Sequence, residues 1–499
     1  MRFMPTILAA ALAALASYSS TVSAADAAPP LPFTAQAWRA AALRDVDAGY
    51  RVTLANHAGA HDPHNPAFLR NLRAARAHGA ALAAKVNDGS GYIAALLGFS
   101  NRIHDGHAGV YPSFDFDAVK PAEWPGFVAA WRGDLFVYAS EDGAAREGER
   151  IVSCDGKPAR RLLAQNVFAF LGRPKEEGQW WSQARNLFTD FGNPFAPRPQ
   201  RCVFELDGRQ VERVLAWRTM PDSRTPLLRD SVAGATLPVG LSEPRKNLFW
   251  VAMPTFQPSD AERAAYRAIN EQVRKERERF LGADAVVVDL RRNQGGSSSW
   301  SEEFAKALWG DAELKRRDDA RNRNVEVWYR ASPGNIAYYQ QGKEKDIARG
   351  ETASAQWWAE REAATRKAQA AGKPYYISKD EPEENSGTVQ QAPAAPFTRP
   401  VYVIVPGNCA SACLDAIDYF KLFPNTKLVG APSSADSTYM EVRVEPLPGG
   451  LARVIVPTKL YVNRPRGNGE FYRPDIPVTD LRWSTATFLD VVERDLAGK

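Results

Sequence analysis

Ser411 stands where a serine can become a nucleophile. The stretch from Val401 to Phe420 reads VYVIVPGNCASACLDAIDYF. A β-branched run is broken at Pro406, Gly407 and Asn408, and Leu414, Ile417 and Asp418 then fall at helical spacing. This predicts a buried strand, a tight turn and a helix, with Ser411 in the first turn of the helix. Unpaired N–H groups and the positive end of the helix dipole can stabilise negative charge there. The same place suits a serine that only caps the helix, and the G-x-S-x-G pattern of a nucleophile elbow is absent.

Other residues with chemical potential are few. All six histidines lie between His57 and His107. His57, His61 and His64 share a segment, HAGAHDPHNP, whose Gly, Asp and Pro residues favour a loop over a rigid ligand face, so neither a metal nor a cofactor is expected. At Asn101–His107 an Asp-Gly pair forces a turn and directs one or both of His104 and His107 out of a helix. The four cysteines are Cys154, Cys202, Cys409 and Cys413. They allow three connectivities. Cys409 with Cys413 across one helical turn, and Cys154 with Cys202, is the expected pairing in an oxidising compartment.

The elements that must position these residues follow from patterning. Residues 1–24 carry one positive charge, a short apolar run and small residues before Ala25, the pattern of a cleaved secretory leader, so the mature chain is expected to be periplasmic or secreted. Nothing later is long and apolar enough to span a bilayer, so no stable membrane insertion is expected after cleavage. Removing the leader takes one arginine from the net charge of +5, leaving +4. Positive and negative residues are interspersed, which argues against nucleic acid as a partner. Residues 25–122 read as a helical region. Residues 123–220 read as a small β-rich module with an edge able to accept a peptide as an added strand. Residues 221–310 and 398–499 alternate strand and helix, as in an α/β core with a mainly parallel sheet. Within them AVVVDL (285–290) runs into Arg291-Arg292-Asn293-Gln294-Gly295-Gly296, a loop placed to neighbour Ser411 at the carboxyl ends of the strands. Residues 311–397 read as an insertion on the core, a possible lid, ending in an acidic stretch at 380–396.

Four segments in order, AVVVDLRRNQGG (285–296), VIVPGNCASAC (403–413), KLVG (427–430) and RPDIPV (473–478), resemble the C-terminal processing (tail-specific) serine peptidases and the related tricorn core protease. The resemblance implies an α/β fold with a crotonase/Clp-protease-like core, an N-terminal helical region and an inserted PDZ-like domain. In that domain WRGDLFV (131–137) resembles the carboxylate-binding loop, making Gly133, Leu135 and Phe136 the expected substrate contacts. The Ser/Lys branch of the family places a lysine about 25 residues after the serine, where this chain has Asp436; Lys427 and Lys459 do not match that motif. HDGHAGV (104–110) instead resembles the Asp-Gly-His motif of the Ser/His branch.

That branch implies Ser411 as nucleophile and His107 as general base, with His104 the competing choice. Glu470 would orient the imidazole, with Asp475 and Glu441 as alternatives. N–H groups of Gly295 or Gly296 and of Ala412 would form the oxyanion hole. Ser297, Ser298 and Ser299 read as capping or surface residues. The expected function is an exported endopeptidase acting on polypeptides through an acyl-enzyme. A non-catalytic peptide- or hydrophobic-ligand-binding protein on the same scaffold and a small-acyl esterase are the rival readings.

Overall fold

The computed structural model describes residues 31–32, 34–235, 237–378 and 397–498. The expected leader at 1–24 and the acidic stretch at 380–396 lie outside the described residues. Among the described residues no helix is long and apolar enough to cross a membrane.

The Val-rich segments form one sheet because both of its faces are covered. Its order is Gly240–Arg245, Leu248–Ala252, Ala285–Asp289, Val401–Val405, Thr426–Gly430 and Ile476–Pro477. The first pair is antiparallel and the remaining pairs are parallel. Successive side chains alternate between two cores. Trp250, Val287, Tyr402, Ile404 and Val429 face one cluster. Phe249, Val251, Val286, Val288, Val403 and Val405 face the other, beneath the helices Asp260–Lys275, Ser299–Trp309 and Ala412–Phe420. Asp289 pairs with Ile404, and Val405 with Gly430. The loops after Asp289, Val405 and Gly430 therefore leave adjacent strands at the same edge.

A second, antiparallel sheet joins Tyr439–Pro446, Ala452–Val462 and Gly109–Pro112. The helices Ala35–Asn56, Ala67–Ala83 and Gly89–Asn101 pack on it, with Leu72, Tyr92, Leu96 and Phe99 in one core with Val454, Val456 and Leu460. Gly109 pairs with Ile455, which carries the preceding turn, 104–107, across to the loops of the parallel sheet. Residues 311–397, expected as an insertion, supply two strands of this second sheet, Glu326–Arg330 and Tyr375–Ser378.

A third sheet contains Phe127–Trp131, Leu135–Ser140, Arg150–Cys154, Arg201–Leu206 and Arg209–Val214, all antiparallel. Cys154 faces Cys202 across it, and the two form a disulfide. Its core is continuous with one face of the parallel sheet: Trp131, Ile151 and Phe204 share a cluster with Tyr402, Val429 and Trp483.

Candidate active site

The turn after Val405 is bent sharply enough to put Ser411 at φ 56° and ψ −130°. A residue with a Cβ held there costs on the order of 1–3 kcal/mol. A strand-to-helix turn strained in this way is how a nucleophile elbow exposes its serine, so the conformation is present although the glycine pattern is not. Three contacts hold it. The disulfide Cys409–Cys413 brackets the turn. The N–H groups of Leu414 and Asp415 donate to the Ser411 carbonyl. The N–H of Ser411 donates to Oδ2 of Asp436 at 2.6 Å, from the loop after the next strand. The hydroxyl does not cap the helix, which begins without a side-chain cap bond.

The N–H of Ala412, next to this serine, and that of Gly296, in the glycine loop, have no acceptor among the described residues. Ala412 opens the helix, and Gly296 is exposed at the end of its loop. The N–H of Gly295 is occupied, donating to Oδ1 of Asn293 at 2.9 Å, which removes Gly295 as a donor. Gly295 matters through its missing side chain. At φ 107°, a Cβ there would lie 2.7 Å from the Ser411 Cβ and 3.1 Å from the Ala412 nitrogen.

The histidine segment enters through Asp105, which is buried. Its Oδ1 accepts the His107 main-chain N–H at 2.9 Å and the Ser437 hydroxyl at 2.7 Å. Its Oδ2 lies 2.8 Å from Nε2 of His57. Because Nδ1 of His57 accepts the Gly59 N–H, the His57 proton sits on Nε2 and is donated to Asp105. Burial raises the Asp105 pKa, but the hydrogen bond from His57, with the backbone bond from His107, outweighs it and holds the carboxyl below its ordinary value. His107 is half-buried, and its Nδ1 is enclosed without a hydrogen-bond partner among the described residues.

An open cleft of about 160 Å³ is lined among others by Asp105, His107, Arg173, Gln294, Ala410 and Asp436; it reaches the serine turn at Asn408 and Ala410 and the glycine loop at Gln294, while Ser411, Ala412 and Gly296 are not among its lining residues. His104, the competing histidine, does not line it and is exposed at φ 61°. Burial and the neighbouring Arg173, Arg102 and Lys175 depress its pKa.

Residues 248–478 match peptidase family S41. The chain is a serine-type peptidase with an S41 domain. No curated protein matches the sequence. Among solved structures, mature CPAF complexed with lactacystin superposes with a TM-score of 0.62 at 14% identity, covering 92% of this chain and 99% of that one. Mature CPAF gives 0.58 at 14% identity, over 92% and 97% of the two chains. At such identity the likeness is one of fold.

Within the S41 domain the lysines of the alternative branch are committed elsewhere. Nζ of Lys427 lies 2.8 Å from Asp495, and Nζ of Lys459 lies 3.0 Å from Glu441. Burial lowers the Lys459 pKa, but Glu441, Tyr461 and Tyr329 outweigh it and hold it well above its ordinary value, so it is a poor base. The expected orienting carboxylates are elsewhere too. Glu470 closes its own exposed turn, accepting the Gly467 N–H at 2.8 Å, and among the described residues it makes no hydrogen bond or ion pair with His107. Asp475 accepts from the Leu428 N–H, and Glu441 is paired with Lys459. Ser298 donates to Asp415, while Ser297 and Ser299 bond to each other.

In the third sheet the expected carboxylate-binding loop has one exposed residue, Gly133, at φ 89°. Leu135 is fully buried in the core and Phe136 half-buried, opposite Arg150. Arg132, just before Gly133, is tied to the carbonyls of Asp480 and Leu481 and lies over Trp181. Sequence reasoning missed Asp105, His57 and Asp436 as partners of the site. Asp436 was visible as the residue standing at the lysine position, but nothing local shows that its carboxylate reaches the serine amide.

Proposed function

We propose that the protein is an exported endopeptidase in which Ser411 attacks the peptide carbonyl and His107 takes and returns the proton. The observation that carries this reading is the strained Ser411 turn, with an uncapped hydroxyl and a free Ala412 N–H beside it. The tetrahedral oxyanion would be received by the N–H groups of Ala412 and Gly296. Each such donor is worth on the order of 3 kcal/mol to the transition state. An imidazole is a side chain that can serve as both base and acid near neutral pH. Asp105 acts on it through the main chain, fixing where the ring emerges into the cleft. The mechanism is acyl transfer: the Ser411 proton passes to the imidazole, then to the leaving amine, and water releases the acyl group through the same histidine.

The third sheet, on this reading, is a PDZ-like module that holds an extended substrate segment by strand addition. The leader-like residues 1–24 and the two disulfides suit an oxidising compartment.

The test is casein hydrolysis and fluorophosphonate labelling of the wild type, Ser411→Ala and His107→Ala, with lactacystin, the compound bound in the CPAF structure, as a competitor. Both substitutions are expected to abolish turnover, and the first to abolish labelling. Full activity in His107→Ala would remove the histidine from the mechanism.

A further inference from the structure

One end of the cleft carries positive charge that the proposed chemistry does not use. Arg185, Arg229 and Arg292 all line it, together with Gln294 of the oxyanion loop. Arg229, on the helix Thr225–Ala233, is half-buried. Among the described residues it makes no hydrogen bond or ion pair, and its Nε is enclosed without a partner. Arg292, held at φ 64°, spends part of its guanidinium on Asp230 and on the Gly234 carbonyl. Burial lowers its pKa; Asp230 opposes this and the field of Arg229 adds to it. Arg185 is almost fully buried and donates to the Leu228 carbonyl, with burial pushing its pKa down to about 10.

Among the described residues, the other charged side chains that line the cleft have partners of their own. Asp105 is bonded to His57 and Ser437, Asp436 to the Ser411 amide, and Arg173 to Glu176. A half-buried guanidinium without a partner, beside two more, is a costly arrangement that an incoming anion relieves. Guanidinium groups favour planar oxyanions, which they bind through paired N–H donors.

We propose that the corner formed by Arg185, Arg229 and Arg292 is a specificity site for a carboxylate side chain of the substrate, an aspartate or glutamate close to the scissile bond. The distance follows from the chain itself. Arg292 lies four residues before Gly296, at most roughly 14 Å of extended backbone from the expected oxyanion donor, a span of about four substrate residues. The inference rests on the proposed peptidase reading and names part of its substrate class.

The test uses internally quenched peptides spanning a casein cleavage site, with Gln or Glu placed in turn at each position flanking the bond. Each peptide is made with a free and with an amidated C-terminus. At one or two adjacent positions, wild type is expected to cleave the Glu peptide about tenfold faster in kcat/KM than its Gln twin, whatever the C-terminus. Arg229→Ala should bring that ratio close to one, Arg229→Lys should restore part of it, and added salt should shrink it in the wild type. The ratio is internal to each enzyme, so a variant that is merely less active still reads it. A wild type that cleaves Glu and Gln peptides equally at every position overturns the inference while leaving the peptidase reading intact. A preference that disappears on amidation assigns the corner to a chain terminus and overturns the side-chain assignment. A wild type that neither cleaves nor labels with fluorophosphonate refutes the peptidase reading itself.

Discussion

Oδ2 of Asp436 accepts the main-chain N–H of Ser411 at 2.6 Å, joining the loops after two adjacent parallel strands at the strained residue. The carboxylate is buried, and Nη1 of Arg466 lies 3.8 Å away. Arg466 also binds Asp415 and Asp418 on the helix that follows the serine. Asp436, at the position where the Ser/Lys branch led to the expectation of a lysine, is a strut for the backbone of Ser411.

Removing the strut should cost rate more than affinity. A hydrogen bond to a charged group contributes about 1.5–3 kcal/mol, so Asp436→Ala is expected to lower kcat by roughly ten- to a hundredfold with little change in KM. Asp436→Asn keeps an acceptor and should lose less. Steady-state kinetics and the rate of fluorophosphonate labelling report both; wild-type rates in the alanine variant would show that the turn holds itself.

Gly295→Ala should damage the reaction. Its methyl would fall 2.7 Å from the Ser411 Cβ and crowd the Ala412 N–H, at a φ that side chains avoid. Loss of an oxyanion donor typically costs about a hundred- to a thousandfold in kcat, and a similar loss is expected here. A variant with normal kcat would place the oxyanion elsewhere.

The two disulfides should separate stability from activity. Cys154–Cys202 spans 48 residues and Cys409–Cys413 spans 4. Chain-entropy scaling assigns about 4 kcal/mol to the long loop and about 2 kcal/mol to the short one. Replacing the first pair by alanines should lower Tm more. Replacing the second should lower kcat more, because it frees the Ser411 turn, and calorimetry beside kinetics decides between the two orders.

Asp105 sets an acid limit. Its folded pKa is held below the unfolded value of about 3.9, so its ionised form stabilises the protein above that pH. The contribution is lost as pH falls through the depressed folded pKa. Asp105→Asn should therefore unfold at lower temperature than wild type near neutrality, and the gap should narrow below about pH 4. A gap independent of pH would assign the deficit to packing.

Much of the architecture was legible because it is written locally. The Val-rich runs at Ala285–Asp289 and Val401–Val405 became central strands, and the break at Pro406–Asn408 became the serine turn. The stretch 311–397 read as an insertion because it is charged and Gln/Ala-rich and interrupts the alternation of strand and helix, so its strands went unseen. Its strand Glu326–Arg330 pairs with Ala452–Val462, more than a hundred residues away, and Tyr375–Ser378 joins the sheet by pairing with Glu326–Arg330.

The sequence by itself determined the order of strands and helices, the serine at a helix start, the glycine loop, the four cysteines and the peptidase family resemblance. These depend on neighbours along the chain, where hydrophobic period and turn residues act directly. Tertiary structure decided which carboxylate serves which partner. Asp436 went to the Ser411 amide, Asp105 to His57 and the His107 backbone, and Glu470 to its own turn. Those pairings arise where loops from distant segments are packed together, because a buried carboxylate takes whichever N–H and O–H donors the fold presents to it.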